Sequence, residues 1–158
     1  MELVEGTAGG CDVLAVPVFA GCTWGPGAEA AAASLGPGVE RFMEARDFSG
    51  KAGSLLEMPG NGDPTVVGFG GLGDETDVEG LRRGAGALAR ATDRSAAVAT
   101  TLHQVDVDEA AAAVALGFLL GGYRFDDYQS DPTPSKTERL VLVDASDVEL
   151  AAVRRAGL

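Results

Sequence analysis

The sequence predicts an α/β domain, a three-layer α/β/α sandwich around a mixed sheet, and three observations carry that prediction. Val-rich apolar runs alternate with Ala- and Leu-rich segments of helical periodicity, the pattern of helices laid on both faces of a sheet. Two of the runs are joined by a link so short that they must pair antiparallel, so the sheet is mixed. The chain is also long enough for one core: 158 residues with 46% hydrophobic content fit a single folded unit, since a domain of this size buries roughly 70% of its unfolded surface.

Asp12 to Phe19 is a Val-rich run that reads as a strand buried on both faces, with Pro17 predicting either an early end or a place where no ladder bond is needed. Gly25 to Arg46 is helical but broken at Gly36-Pro37-Gly38, giving a short Ala-rich helix and then one with Val39, Phe42 and Met43 on one side. Lys51 to Met58 and Thr65 to Phe69 are strands joined through Pro59 to Pro64, and this is the hairpin-like return. The strongest helix follows Gly73, where Thr76 and Glu79 match a capping box and Val78, Leu81, Ala85, Leu88 and Ala89 repeat at helical spacing. Ser95 to Leu102 reads as the next strand. Asp106 is the predicted cap of a further helix with Val107, Ala110, Ala111, Val114 and Phe118 inward, closing at Gly121-Gly122. Gln129 to Glu138 is a polar, proline-containing loop, Arg139 to Val143 the last strand, and Ser146 with Glu149 a second capping box that opens a final helix.

Composition excludes several functions. A net charge of −12, from 24 acidic against 12 basic residues, repels phosphate backbones, so no nucleic acid is expected as a partner. The longest apolar run, Ala110 to Leu120, falls short of the ~20 residues that span a bilayer, and the start of the chain carries acids rather than a basic leader. No membrane contact and a cytoplasmic location are therefore expected. Cys11 and Cys22 fit neither a redox pair nor a zinc knuckle and read as two small, buried or half-buried thiols.

Each candidate motif has a plainer structural explanation. Gly68-Phe69-Gly70-Gly71-Leu72-Gly73 satisfies the G-x-G-x-x-G pattern after a strand, but the helix cap lies beyond its last glycine, and Asp74, Glu75, Asp77 and Glu79 would repel a pyrophosphate. It reads as a tight strand-to-helix turn. His103 is the only histidine, stands at a strand end without a nucleophile context, and reads as structural. Asp126-Asp127 and Asp74-Glu75 lack accompanying His ligands. Lys51 reads as a surface lysine, and Arg82, Arg83 and Arg90 as the solvated side of their helix. Gly121 to Ser130, with Tyr123, Phe125 and Tyr128, reads as a packing segment that plugs the end of the core. No catalytic, cofactor-binding or metal-binding residue is expected in the chain.

That aromatic segment, Gly121 or Gly122 followed in order by Tyr123, Phe125, Asp126, Tyr128 and Ser130, resembles a signature near the end of the amino-terminal domain of the leucyl aminopeptidase family, the cytosol aminopeptidases of peptidase family M17. Three further stretches agree in order: Phe48, Gly50, Lys51 and Gly53; Val66 to Gly70; and Arg82, Ala85, Gly86, Ala89 and Arg90. Gln129 departs from the family's Lys, and Gly71-Leu72-Gly73 extends the turn after the central strand. The resemblance implies a macro-domain-like unit over residues 1–145, and a helix over 146–158 that begins the link to a carboxy-terminal catalytic domain. In the family that second domain binds two divalent metals, zinc or manganese, and removes amino-terminal residues from peptides; the enzymes form hexamers. On this reading the chain is a non-catalytic assembly or regulatory domain. The alternative is a stand-alone macro-type module for ADP-ribose or a nucleotide, and a nucleotide-dependent oxidoreductase ranks last.

Overall fold

The computed structural model describes residues 2–122 and 137–157. Among them the strands are β1 (Glu2–Gly6), β2 (Val13–Phe19), β3 (Thr23–Trp24), β4 (Leu55–Pro59), β5 (Val66–Gly73), β6 (Ala97–Thr100) and β7 (Arg139–Val143). The helices are α1 (Ala28–Ser34), α2 (Val39–Ala45), α3 (Val78–Ala91), α4 (Ala110–Gly121) and α5 (Asp147–Arg155). The strands form one sheet in the order β1-β7-β6-β2-β5-β4, with β3 paired to the end of β2. Neighbours from β1 to β5 run parallel, and β4 returns antiparallel along β5 from Leu55 opposite Gly70 to Pro59 opposite Val66. The mixed sheet is therefore as expected.

Alternation along the central strands sends side chains into two large cores and a small third cluster of Cys11, Ala97, Ala99 and Val141. Val13, Ala15, Val98, Leu140 and Leu142 pack with Leu81, Ala85 and Leu88 of α3, Val114 and Phe118 of α4 and Val153 of α5. Val16, Val18, Val67 and Phe69 pack on the opposite face with Ala28 and Ala31 of α1 and Val39 and Met43 of α2. Helices on both faces make the third layer. Each fully buried Leu, Val or Phe in these cores is worth about 1.5–3 kcal/mol relative to exposure.

The two longest helices meet at glycines. A Cβ on Gly117 of α4 would overlap the Arg82 carbonyl of α3, and one on Gly121 would lie 2.5 Å from the Gly86 Cα. Backbone thus packs on backbone, which is why the Ala- and Gly-rich face of α4 suits this place.

Three local expectations are corrected, one open reading is decided, and one strand had no signal in the sequence. Of the two readings of Pro17 the second holds: it sits inside β2 where no ladder bond is needed, because β6 pairs only with Val13 to Ala15 and the absent N–H breaks no bond to β6. The glycines after Phe69 are not a turn; β5 continues to Gly73. The cap of α3 is Asp77, whose Oδ1 accepts the Gly80 N–H at 2.8 Å, rather than Thr76. Asp106 caps nothing at α4, which starts from Glu109 in the left-handed region with no side-chain cap. β1 has no apolar run to announce it: Glu2 and Glu5 are exposed, and the strand is held by backbone pairing to β7 and by Leu3 and Val4 packing against the cores. The Ser146 and Glu149 box forms as expected, with Glu149 N–H donating to Ser146 Oγ at 3.2 Å and Ser146 N–H to Glu149 Oε2 at 2.7 Å. The aromatic segment from Tyr123 onward and most of the proline-containing loop lie outside the described residues.

Candidate functional site

Open α/β sheets hold ligands outside the carboxyl ends of parallel strands, where adjacent loops leave to opposite faces. Here β2 leads to α1 on one face, while its neighbours β5 and β6 lead to α3 and α4 on the other. The crevices on either side of β2 are the places to look.

The crevice between β2 and β6 is closed by protein. Thr101 Oγ1 donates to the Pro26 carbonyl at 2.6 Å, and Gly27, at φ 78°, brings its backbone so close that a Cβ would lie 3.0 Å from Thr101 Cγ2. Thr100 Oγ1 donates to the Ala15 carbonyl at 3.0 Å and accepts the Leu102 N–H at 3.1 Å.

The crevice between β2 and β5 is closed by residues 48–54. Gly71 N–H donates to Ser54 O at 2.8 Å, Gly53 N–H to Gly71 O at 3.1 Å and Gly73 N–H to Gly50 O at 2.9 Å. Cys22 adds its N–H to Ser49 O at 3.2 Å and its thiol to Phe48 O at 3.1 Å. A side chain on Gly71 would overlap the Lys51 carbonyl, and one on Gly50 the Phe19 carbonyl. The backbone groups of the G-x-G-x-x-G stretch are thus spent on their own chain, not offered to a phosphate. What remains beneath, among Ala15, Leu72, Leu88 and Leu102, is an apolar void of about 10 Å³, no more than one water requires.

Of the other sequence candidates, Arg82, Arg83 and Arg90 come together in the wall of one open cleft of about 380 Å³ beside Gly86 and Gly117, while the rest lie apart. Lys51 is exposed at the turn before β4. Arg82 and Arg83 reach back to Glu79 at 2.6 and 3.7 Å, ordinary pairs of an exposed helix face. Asp74, Glu75 and Asp77 lie in the loop where Asp77 serves as cap. Among the described residues no group of three or more His, Cys, Asp or Glu side chains comes together to hold a metal ion. Cys11 is buried, and that burial raises its thiol above the ordinary range although Arg139 acts the other way.

His103 stands apart. It lies in the single helical turn Leu102–Gln104 after β6, is 2% exposed, and neither ring nitrogen has a hydrogen-bond partner of good geometry. Burial holds its basicity below the ordinary imidazole range, with Glu149, the Val143 carbonyl and Asp144 opposing that shift. A buried polar group left without a partner costs about 1–3 kcal/mol. Beside it opens a cleft of about 500 Å³ between residues 103–112 and α5, with Asp106, Asp108, Glu109, Glu149 and Arg155 in its wall. The sequence signalled the histidine but not the cleft, which exists only because α5 packs beside α4. Nor did it signal Thr101 and Pro26, whose partners are distant along the chain.

Fold and site together define a small mixed-sheet α/β domain whose strand-end crevices are filled by its own loops. The family follows from comparison. Residues 15–132 match the family model described as the cytosol aminopeptidase family, N-terminal domain, and the chain belongs to that family. A probable cytosol aminopeptidase of Nocardia farcinica is 38% identical over 120 residues, which are 69% of this chain and 23% of that protein. Among solved structures, the bottromycin maturation enzyme BotP, in complex with Mn, superposes with a TM-score of 0.64 at 29% identity, over 90% of this chain and 28% of that one. A tomato leucine aminopeptidase superposes with a TM-score of 0.82 over 99% of this chain and 35% of that one, and at 18% identity this speaks for the fold alone. The chain thus spans about a quarter of the length of the curated relative. No helix among the described residues is long and apolar enough to cross a membrane.

Proposed function

We propose that this chain is the non-catalytic amino-terminal domain of a metallo-aminopeptidase, serving assembly or regulation while a separate catalytic domain binds two divalent metals, zinc or manganese, and removes amino-terminal residues from peptides. The observation that carries the reading is the match over residues 15–132 to the amino-terminal, not the catalytic, part of the family. The closed strand-end crevices support it, since a domain that fills these clefts with its own backbone offers no room for a substrate there. On this reading residues 1–145 form the macro-like unit, 146–158 begin the link to the catalytic domain, and the assembled enzyme is a cytoplasmic hexamer.

A chimera tests it. This chain, put in place of the amino-terminal domain of the Nocardia farcinica relative, is expected to give an assembled, metal-dependent aminopeptidase, while the chain alone with added manganese or zinc is expected to leave leucine p-nitroanilide intact. Turnover by the chain alone, or a chimera that folds but neither assembles nor cleaves, overturns the proposal. The alternative, a macro-type module for ADP-ribose, predicts heat on calorimetric titration with that nucleotide. Gly71 and Gly73, already bonded to Ser54 and Gly50, argue for a blank.

A further inference from the structure

We infer that the cleft beside His103 is a docking site for a basic side chain, lysine or arginine, presented by a segment of a partner protein. This does not depend on the family reading; it rests on four observations at one place. Asp106, Asp108, Glu109 and Glu149 stand in the wall of the cleft against the single guanidinium of Arg155. None of these acids is neutralised by an ion pair among the described residues, where the pairs are those of Glu79 with Arg82 and Arg83. Nor are the first three spent as helix caps: α4 starts from Glu109 without a side-chain cap, and only Glu149 has such work, accepting the Ser146 N–H. The fourth is the buried, unpartnered imidazole of His103 in the same wall. Held neutral by burial, it adds no positive charge to the wall that would repel a cation.

The remaining surface suits the stem of such a side chain. Ala111, Ala112 and Ala152 line the cleft, and Val148, at 75% exposure the most open of the exposed large hydrophobic residues, sits at its rim. A lysine or arginine lays its methylenes along apolar surface and keeps its charge among carboxylates. An anion is disfavoured by the four carboxylates, and a bound metal by the absence of any grouped ligands among the described residues. The net charge of −12 adds long-range attraction for a basic partner.

Because His103 is the only histidine, its ring signals give a single unambiguous probe in NMR spectra of the whole chain. The probe ligand is the peptide acetyl-Ala-Leu-Lys-Leu-Ala-amide, with a control in which norleucine replaces lysine and a second control of butylammonium alone. The lysine peptide is expected to shift the His103 ring signals and the amides of Ala111 and Val148 in a saturable, salt-sensitive way. The exposed-surface double variant Asp108→Asn, Glu109→Gln, whose amide spectrum elsewhere should match the parent, is expected to weaken that binding about tenfold. Shifts of equal size with the norleucine peptide would make the cleft a merely apolar surface, and equal saturation by butylammonium would make it a site for small amines; either result overturns the inference. So does an absence of shifts, or full binding by the double variant.

Discussion

The two faces of the sheet are held in different ways. On one, α3 and α4 run for 14 and 12 residues and cross where Gly86, Gly117 and Gly121 let the backbones touch, and α3 begins from the Asp77 cap. On the other, α1 and α2 have seven residues each and begin at Gly27 and Gly38 in the left-handed region with no side-chain cap. Isolated helices shorter than ~12–15 residues are marginal in water, so α1 and α2 persist through the side chains they bury, whereas α3 and α4 are also fixed by the fit of their backbones. The difference teaches where each face is vulnerable: one to lost volume, the other to added volume.

Removing volume tests the first. Phe69 is fully buried under α1 and α2, with its ring centroid 6.0 Å from that of Trp24. Phe69→Ala is expected to cost about 4 kcal/mol, measured by urea unfolding, and to raise amide exchange in α1 and α2 before α3 and α4. Equal loosening of both faces would break the contrast.

Adding volume tests the second. Gly117→Ala puts a methyl against the Arg82 backbone and is expected to cost about 2–3 kcal/mol through overpacking. Gly122→Ala, where a Cβ would make ordinary contacts with the Phe118 and Leu119 carbonyls at 3.5 and 3.8 Å, is expected to be near neutral in the same unfolding assay. If both substitutions are silent, the helices are not locked at this crossing.

The contrast also explains what the sequence disclosed. Val13, Val98 and Leu140 sit in apolar runs whose only stable home is a doubly covered sheet, and the Pro59 to Pro64 link announces the antiparallel return, so layer order and mixed pairing were legible. The edge strand β1 was not, because only Leu3 and Val4 pack inward, each against a different core cluster, and two apolar residues between exposed Glu2 and Glu5 make no run. Gly68 to Gly73 misled for a related reason. Glycine at Gly71 answers to the Lys51 carbonyl passing over it, and a contact between segments so far apart leaves no local trace. The cleft beside His103 was invisible on the same ground, since it forms only where residues 103–112 meet α5.

His103 belongs to neither face, and its titration sharpens the comparison by a measure that needs no substitution. Burial holds the folded imidazole below its ordinary range, whereas the unfolded chain titrates near ~6.5. As pH falls through the unfolded value, the unfolded state takes up the proton first, so stability is full above that value and declines below it. The decline is bounded at about 1.4 kcal/mol per pH unit for one proton. Urea midpoints between pH 7.5 and 5.5 are expected to fall in the parent and to fall less in His103→Gln; parallel profiles would mean that the imidazole charges freely in the folded chain.

The smallest expected effect concerns the ends of α3 and α5, the two helices capped by side chains. Asp77→Ala removes the acceptor of the Gly80 N–H, and Ser146→Ala breaks one half of a reciprocal pair with Glu149. Each is expected to cost about 1 kcal/mol. The two differ in what lies behind them. Asp77 begins a helix whose interior is fixed at the Gly86 and Gly117 crossing, so its loss should frustrate only the first turn and appear as a shift in the urea midpoint. Ser146 begins a nine-residue helix that buries Val153, so its loss should fray α5 and widen the cleft beside His103. Amide exchange separates the outcomes: in Ser146→Ala the α5 amides quicken throughout, while in Asp77→Ala those beyond Leu81 stay protected. Uniform quickening of α3 would show that its cap, not its backbone fit to α4, holds it in place.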